Sequence, residues 1–404
     1  MSPAGASANV SATPSEREIL ATVDALAERT VEPFSDEAKA PLLQLSKMLM
    51  SADLATQQPQ LRVLGFWLRG AALQRLQRDA ACSDSEVRVA RGLAYHLPPT
   101  NVDTLFAYSW AVSTLLGNCN VTRLPSTTNE TTSWLLDRIH EALDITNQHS
   151  RHLFCHFDHS STLSAELSAR ADLRVVWGGD AKVLDVSRLP TRPDGLTLGF
   201  ADRKSIAIIG TDAYSVLDDA ARDELASRLC NDMYWFDQMA CSSPRLLVWL
   251  GEPRDNDRED FLSRVADKAK SGGHDVPLAQ DIEKFVLSNA LLASDGASRA
   301  TRHSALLTTA DVPLDRTTLD TVQGAGFMMN ASANQLSELK VLARRELQTI
   351  ATFGLTIERK RELASLLGAR GGCRIVPIGE ALNFSTVWDG VDLIAHFSRF
   401  IAIS

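Results

Sequence analysis

Between Cys119 and Gly210, short apolar runs alternate with segments of helical spacing, and this alternation restricts the chain more than any other feature. CNVTRLP, RHLFCHF, LRVVWGG and SIAIIG read as strands. TTNETTSWLLDRIHEALDI and STLSAELSARAD carry apolar residues three and four apart and read as the helices between them. Strands separated by helices pair in parallel, because the crossover helix returns the chain to the same edge of the sheet. The fold class is therefore α/β. Ligands of such sheets bind beyond the carboxyl ends of the strands, where Arg123, Trp177 and the Gly178-Gly179 turn fall.

The flanking regions divide the rest. Residues 1–18 are rich in Ser, Ala and Pro and read as a disordered tail. EREILATVDALAERT and PQLRVLGFWLRGAALQRLQRD make the region up to about Arg91 helical, and the two prolines of YHLPPTNV end that pattern. TLFAYSWAVSTLLG is a further helix, closed by Gly117-Asn118. After Gly210 one helix, AYSVLDDAARDELASRLCNDMYWF, leads into FDQMACSSP and the buried strand LLVWLG. A second α/β region runs through CRIVPIG to VDLIAHFSRFIAIS. A chain of 404 residues favours two domains. The expected division is 19–210, with a helical N-terminal part and a Rossmann-type cofactor domain, and 211–404, an α/β domain whose C-terminal segment packs back on the first.

Composition excludes several classes of function. A net charge of -9 argues against a nucleic-acid partner. No run of 18 apolar residues predicts a membrane span, and the first residues lack the basic start and apolar core of a signal peptide. The six cysteines form no Cys-x-x-Cys pair, which suits reduced thiols and a cytoplasmic location. RHLFCHFDHS gathers His152, Cys155, His156, Asp158 and His159, but a strand turns alternate side chains to opposite faces and the spacing matches no zinc motif. No metal is expected.

Three features could carry chemistry. Cys241 lies in a turn between a polar-ended helix and a buried strand. A small buried thiol and a nucleophile both fit that setting. Asn101 follows two prolines; it reads as a helix N-cap or as a rigidly held amide donor to an oxyanion. Gly178-Gly179 is a tight turn that could also admit phosphates to the backbone, although the full G-x-G-x-x-G fingerprint is absent.

Taken in order, these segments resemble one family. YHLPPTNVDTLFAYSWAVSTLLGNCNVTRLPS is similar to the PWNFP…GN-x-VV-x-KPSE region of the aldehyde dehydrogenase superfamily. GFWLRGA, VVWGGD, FADRKSIAII, FDQMACSSP and RIVPIG…WDGVDLI resemble signatures of its LuxC-type acyl reductases, spread from about residue 60 to 400. The resemblance implies an aldehyde dehydrogenase-like fold, Cys241 as the nucleophilic thiol, and Asn101 with the Cys241 amide as the oxyanion donors. One such donor is worth ~3–4 kcal/mol in the transition state. It also places Arg123, Ser126, Trp177, Gly178 and Gly179 at the cofactor. RLPS lacks the acid of KPSE, so nothing repels a 2′-phosphate from Arg123, and NADPH is the implied cofactor.

Two departures refine the expectation. LTLGFADRKS stands where acid-forming relatives carry the water-activating glutamate of E-L-G-G-K, and it has none. Gln238 lies three residues before the cysteine instead of two, leaving Asp237 and Gln238 without assigned roles. The implied activity is NADPH-dependent reduction of an acyl thioester, from acyl-CoA or an acyl carrier protein, to the aldehyde through a Cys241-bound acyl group. The carrier thiol resembles cysteine in pKa, so the exchange is expected to need no strong general acid. An acid-forming aldehyde dehydrogenase and a non-catalytic acyl-transfer partner are the alternatives. The resemblance leaves room for an acyl-protein synthetase partner and for a homo-oligomer.

Overall fold

The computed structural model describes residues 15–52, 58–99, 102–125, 129–158, 161–252, 256–320 and 324–404. Helices Glu16–Leu26, Asp36–Ser51, Pro59–Trp67 and Gly70–Asp79 come first, followed by β1 (Glu86–Ala90). A five-stranded sheet then forms from β2 (Leu93–Leu97), β3 (Cys119–Leu124), β4 (His152–His156), β5 (Leu173–Trp177) and β6 (Leu196–Phe200). Its order is β4-β3-β2-β5-β6 and every pairing is parallel. β2, β3 and β5 are buried along their whole length, as strands covered on both faces must be. The order turns back between β2 and β5, which makes the gap beyond Leu97 and Trp177 the switch point of the sheet.

The second sheet is seven-stranded. It contains β7 (Lys204–Gly210), β8 (Pro244–Leu250), β9 (Arg299–Arg302), β10 (Thr308–Asp311), β11 (Phe327–Ala333), β12 (Leu347–Phe353) and β13 (Arg374–Pro377). The order is β13-β12-β7-β8-β11-β10-β9, with only the edge strand β9 antiparallel. The chain thus passes between sheets in the short link from Phe200 to Lys204, ahead of the change expected at 210. A small hairpin of β14 (Val387–Trp388) and β15 (Val391–Asp392) follows, and the last strand, β16 (Ser398–Ala402), pairs antiparallel with β1.

Other expectations shift as well. The first helix starts at Glu16, inside the stretch read as a tail, because Ser15 and Glu18 form a reciprocal capping box. β1 lies within the region read as helical. Its five residues are strand because β16 pairs with them, from Glu86 opposite Ala402 to Ala90 opposite Ser398. The helix expected from Ala213 to Phe236 is two, Thr211–Ser215 and Asp219–Tyr234, since the Asp218 carboxylate caps the Ala221 amide and starts a new one.

Helix Leu105–Leu115 is buried at every position, as a helix enclosed on all sides must be. One cluster joins it to helix Asp36–Ser51 and to Phe384, Trp388, Leu393 and Phe397 from the C-terminal segment. Tyr108 stacks on Phe384 at 4.5 Å. Asn118 locks this return of the chain: its Nδ2 donates to Phe397 O at 2.8 Å, and its Oδ1 accepts from the amides of Arg91 and Gly92 at 2.8 and 3.0 Å. The side chain is fully buried, so removing it strands backbone groups from two distant segments. Asn118→Ala should lower unfolding free energy by about 1–3 kcal/mol, read as a fall in the urea midpoint.

Candidate active site

Cys241 occupies the turn between helix Asp219–Tyr234 and β8. The turn includes two consecutive non-glycine residues in the left-handed region, Asp237 at φ 50° and Gln238 at φ 58°. Such a conformation costs roughly 1–2 kcal/mol per residue. Buried hydrogen bonds offset it. Gln238 Nε2 donates to Pro244 O at 2.8 Å and Phe327 O at 3.1 Å, while its Oε1 accepts from the Gly326 amide at 3.0 Å. Asp237 O accepts from the Ala325 amide. Next in the turn, Cys241 O accepts from Ser205 Oγ at 2.7 Å, and that oxygen accepts from the Thr349 amide. The cysteine is therefore tied to β7, β8, β11 and β12 at once. Gln238 is a brace of the turn, which answers the role that the sequence left open.

A cleft of about 830 Å³ contains Cys241 together with Trp177, Gly178 and Gly179. It lies between the carboxyl edge of the five-stranded sheet and the amino edge of the seven-stranded one, where Lys204 and Pro244 begin their strands. Trp177 stacks on Phe200 with ring centroids 3.9 Å apart and forms one wall. Gly178 has φ 150°, and a Cβ there would lie 2.8 Å from the Lys182 side chain. Helix Asp180–Arg188 starts directly after Gly179. Its first amide already donates to Asp202 Oδ2 at 3.2 Å.

Lys182 was missed in the sequence. Its Nζ donates to Pro98 O at 2.8 Å and Trp177 O at 3.0 Å, capping the strand ends on both sides of the switch point. Burial and the nearby Arg123 push it down to about 8. Only the position of a helix-borne lysine three residues beyond the Gly-Gly turn could have pointed to it. Arg123 itself is buried in β3, with Nε and Nη2 on Phe157 O, and is not part of the cleft wall. Asn101 and Ser126 lie outside the described residues.

Cys241 also lines a narrow apolar slot with Tyr108, Trp235, Phe236, Leu382 and Phe384. The thiol thus stands between a polar cleft and an apolar one. Burial, then the charge of Asp389, push it up to about 11, partly countered by hydrogen bonding from Gln348. At rest the sulfur is a thiol at pH 7. Gln348 Nε2 also donates to Asp389 Oδ1. Arg203 Nε lies 3.5 Å from Asp389 Oδ2, and burial holds this carboxyl above its usual range. The other carboxylates of the cleft are engaged: Asp202 with the Asp180 amide, Glu346 with Arg344 and Arg345. The residues fit a nicotinamide dinucleotide in one respect above all, a glycine turn that opens a helix at the switch point of a parallel sheet.

The two sheets and the cleft between them have the fold of the aldehyde dehydrogenases. The model of the acyl-CoA reductase (LuxC) family matches residues 69–400, and the chain belongs to that family. Among solved structures it is similar to glyceraldehyde-3-phosphate dehydrogenase from Methanocaldococcus jannaschii complexed with NADP. The TM-score is 0.68 at 15% identity, over 97% of this chain and 94% of that one. An NAD-dependent benzaldehyde dehydrogenase from Corynebacterium glutamicum matches with a TM-score of 0.66 at 14% identity, over 97% and 91%. The bifunctional proline utilization A protein matches at 0.69 and 13% identity over 99% of this chain, which spans 45% of that longer one. No curated protein matches the sequence. Among the described residues, no helix is long and apolar enough to cross a membrane.

The enclosed thiol makes a direct expectation. Iodoacetamide alkylation of Cys241, followed by peptide mass spectrometry, should still be accelerating between pH 9 and 10 and reach half its plateau only near 11.

Proposed function

We propose that this protein reduces an acyl thioester, from acyl-CoA or an acyl carrier protein, to the aldehyde with NADPH, holding the acyl group on Cys241. The observation that carries this reading is the position of the sulfur, shared by the glycine-turn cleft and the apolar slot. An acyl carbonyl bonded there can extend its hydrocarbon into the slot, alongside the stacked rings of Tyr108 and Phe384, while its other face stays open to the cleft. A reduced nicotinamide in that cleft would supply hydride. The Cys241 amide and Asn101 would receive the oxyanion, and Gly178, Gly179 and Lys182 would hold the cofactor's phosphate end at the switch point.

The fate of the acyl group follows from what surrounds it. In the stretch from Leu196 to Ser205 the only carboxylate is Asp202, and its Oδ2 is committed to the Asp180 amide. That stretch then offers an acyl group on Cys241 no free carboxylate to activate water, which favours aldehyde over acid as product. The preference for NADPH rests on the missing acid after RLPS, which leaves nothing there to repel a 2′-phosphate.

Cys241→Ser should abolish both the acyl adduct, seen as a mass increase on the intact protein, and aldehyde formation from acyl-CoA esters. A variant that kept turning over would refute the reading, and a carboxylic acid as the wild-type product would favour an acid-forming dehydrogenase. In paired assays with the same thioester, NADPH should support turnover at least about 10-fold better than NADH, the ratio that ~1.4 kcal/mol of differential binding produces. A preference for NADH would remove the argument from RLPS.

A further inference from the structure

Acyl transfer onto Cys241 moves a proton as well as a carbonyl. The resting sulfur is a thiol, so its attack needs a base, and the carrier sulfur departs as a thiolate that needs an acid. An exchange between two ordinary thiols would not demand either; this enclosed one does.

Asp389 stands where such a group is needed. It is the first turn residue of the hairpin β14–β15, in the sequence Trp388-Asp389-Gly390-Val391. Its φ of 50° and the 77° of Gly390 suit a two-residue turn of type I′, for which Asp-Gly is a preferred pair. Trp388 anchors the hairpin against Phe384 and Trp177, and the Asp389 side chain, 3% exposed, lines the cleft with Cys241. Gln348 Nε2 donates to Asp389 Oδ1, and Asp389 and Cys241 line the same cleft, where the charge of Asp389 acts on the sulfur. Asp389 Oδ2 faces Arg203 Nε at 3.5 Å as a buried ion pair, and Gln348 Oε1 is buried without a hydrogen-bond partner. The charged and titratable groups around the carboxylate are Arg203 before β7, Cys373 and Arg374 at β13, and Cys241 itself.

We propose that Asp389 is the proton shuttle of acyl transfer: its carboxylate takes the Cys241 proton as the sulfur bonds to the thioester carbonyl, and returns it to the carrier sulfur as that C–S bond breaks. This rests on the thioester-reductase reading. The step leaves acylated Cys241, free carrier thiol and the original carboxylate. After reduction, the C–S bond to Cys241 breaks with release of the aldehyde. The cysteine thiolate then regains a proton from solvent through Asp389, the one proton that the overall reduction consumes.

Asp389→Asn is the test, because asparagine tolerates the left-handed turn and keeps an acceptor for Gln348 but cannot shuttle a proton. At pH 7 acyl transfer from an alkyl thioester to Cys241, followed by intact mass, should fall about 100-fold. The deficit should shrink as pH rises and ionises the thiol directly, and shrink again with an aryl thioester, whose thiolate leaves without an acid. Iodoacetamide alkylation of Cys241 at pH 8 should not fall, because the variant loses a negative charge beside the sulfur and releases no thiolate that needs a proton. An acyl-transfer deficit independent of pH and of leaving group, a loss of alkylation in parallel, or no deficit at all would overturn the proposal. Hydrolysis of the wild-type acyl-enzyme that Asp389→Asn prevents would also overturn it, placing the carboxylate on water instead. If wild-type Cys241 accepted no acyl group from any thioester, the proposed function itself would fail, a result separate from these.

Discussion

A buried amide holds the candidate active site together. Gln238 spends its side-chain nitrogen on two carbonyls and its oxygen on the Gly326 amide, and so pins the turn after helix Asp219–Tyr234 to β8 and β11. Without those bonds, two left-handed non-glycine residues would relax toward ordinary backbone and the following cysteine would move with them. Ser205 completes the brace from the opposite side by linking Cys241 O to the Thr349 amide. The thiol is thus fixed in position by rigid strands.

The cleft joins unlike edges of two sheets. One wall is the carboxyl edge of the five-stranded sheet, where a switch point and a glycine turn make room for a dinucleotide. The other wall is the amino edge of the seven-stranded sheet, where Cys241 enters β8. Electrostatics then separate the functions: Lys182 caps strand ends at the cofactor side, while Asp389, Gln348 and Arg203 gather at the sulfur. Closing the chain matters as much as the sheets do. The C-terminal segment crosses back to helix Leu105–Leu115 and delivers Trp388 and Asp389 to the cleft on its way.

Some of this was legible in the chain. The alternation from Cys119 to Gly210 marked β3, β4, β5 and β7, since fully buried parallel strands are apolar throughout and bounded by turns. It did not mark β1, which lies outside that stretch and whose five residues are strand because β16, more than three hundred positions later, pairs with them. Nor could it show that β7 leaves the first sheet, because a strand's own residues do not name its neighbours. Cys241, Gly178 and Gly179 were nameable as candidates and share one cleft. Arg123 was nameable too, yet its guanidinium turns to the Phe157 carbonyl. Lys182, Gln348 and Asp389 carried no local signal beyond a lysine after a glycine turn and an Asp-Gly pair, and their meaning comes from partners far away in sequence.

The sequence by itself determined the α/β class, the family resemblance, the cysteine and the absence of a glutamate in LTLGFADRKS, because periodicity, residue identity and order along the chain are one-dimensional properties. Only the tertiary structure decided that the cysteine lines two clefts, that Gln238 braces its turn and that Asp389 shares its cleft. Burial and charge depend on what surrounds a group in space, and the groups around Cys241 come from β7, β12, β13 and a hairpin near the end of the chain.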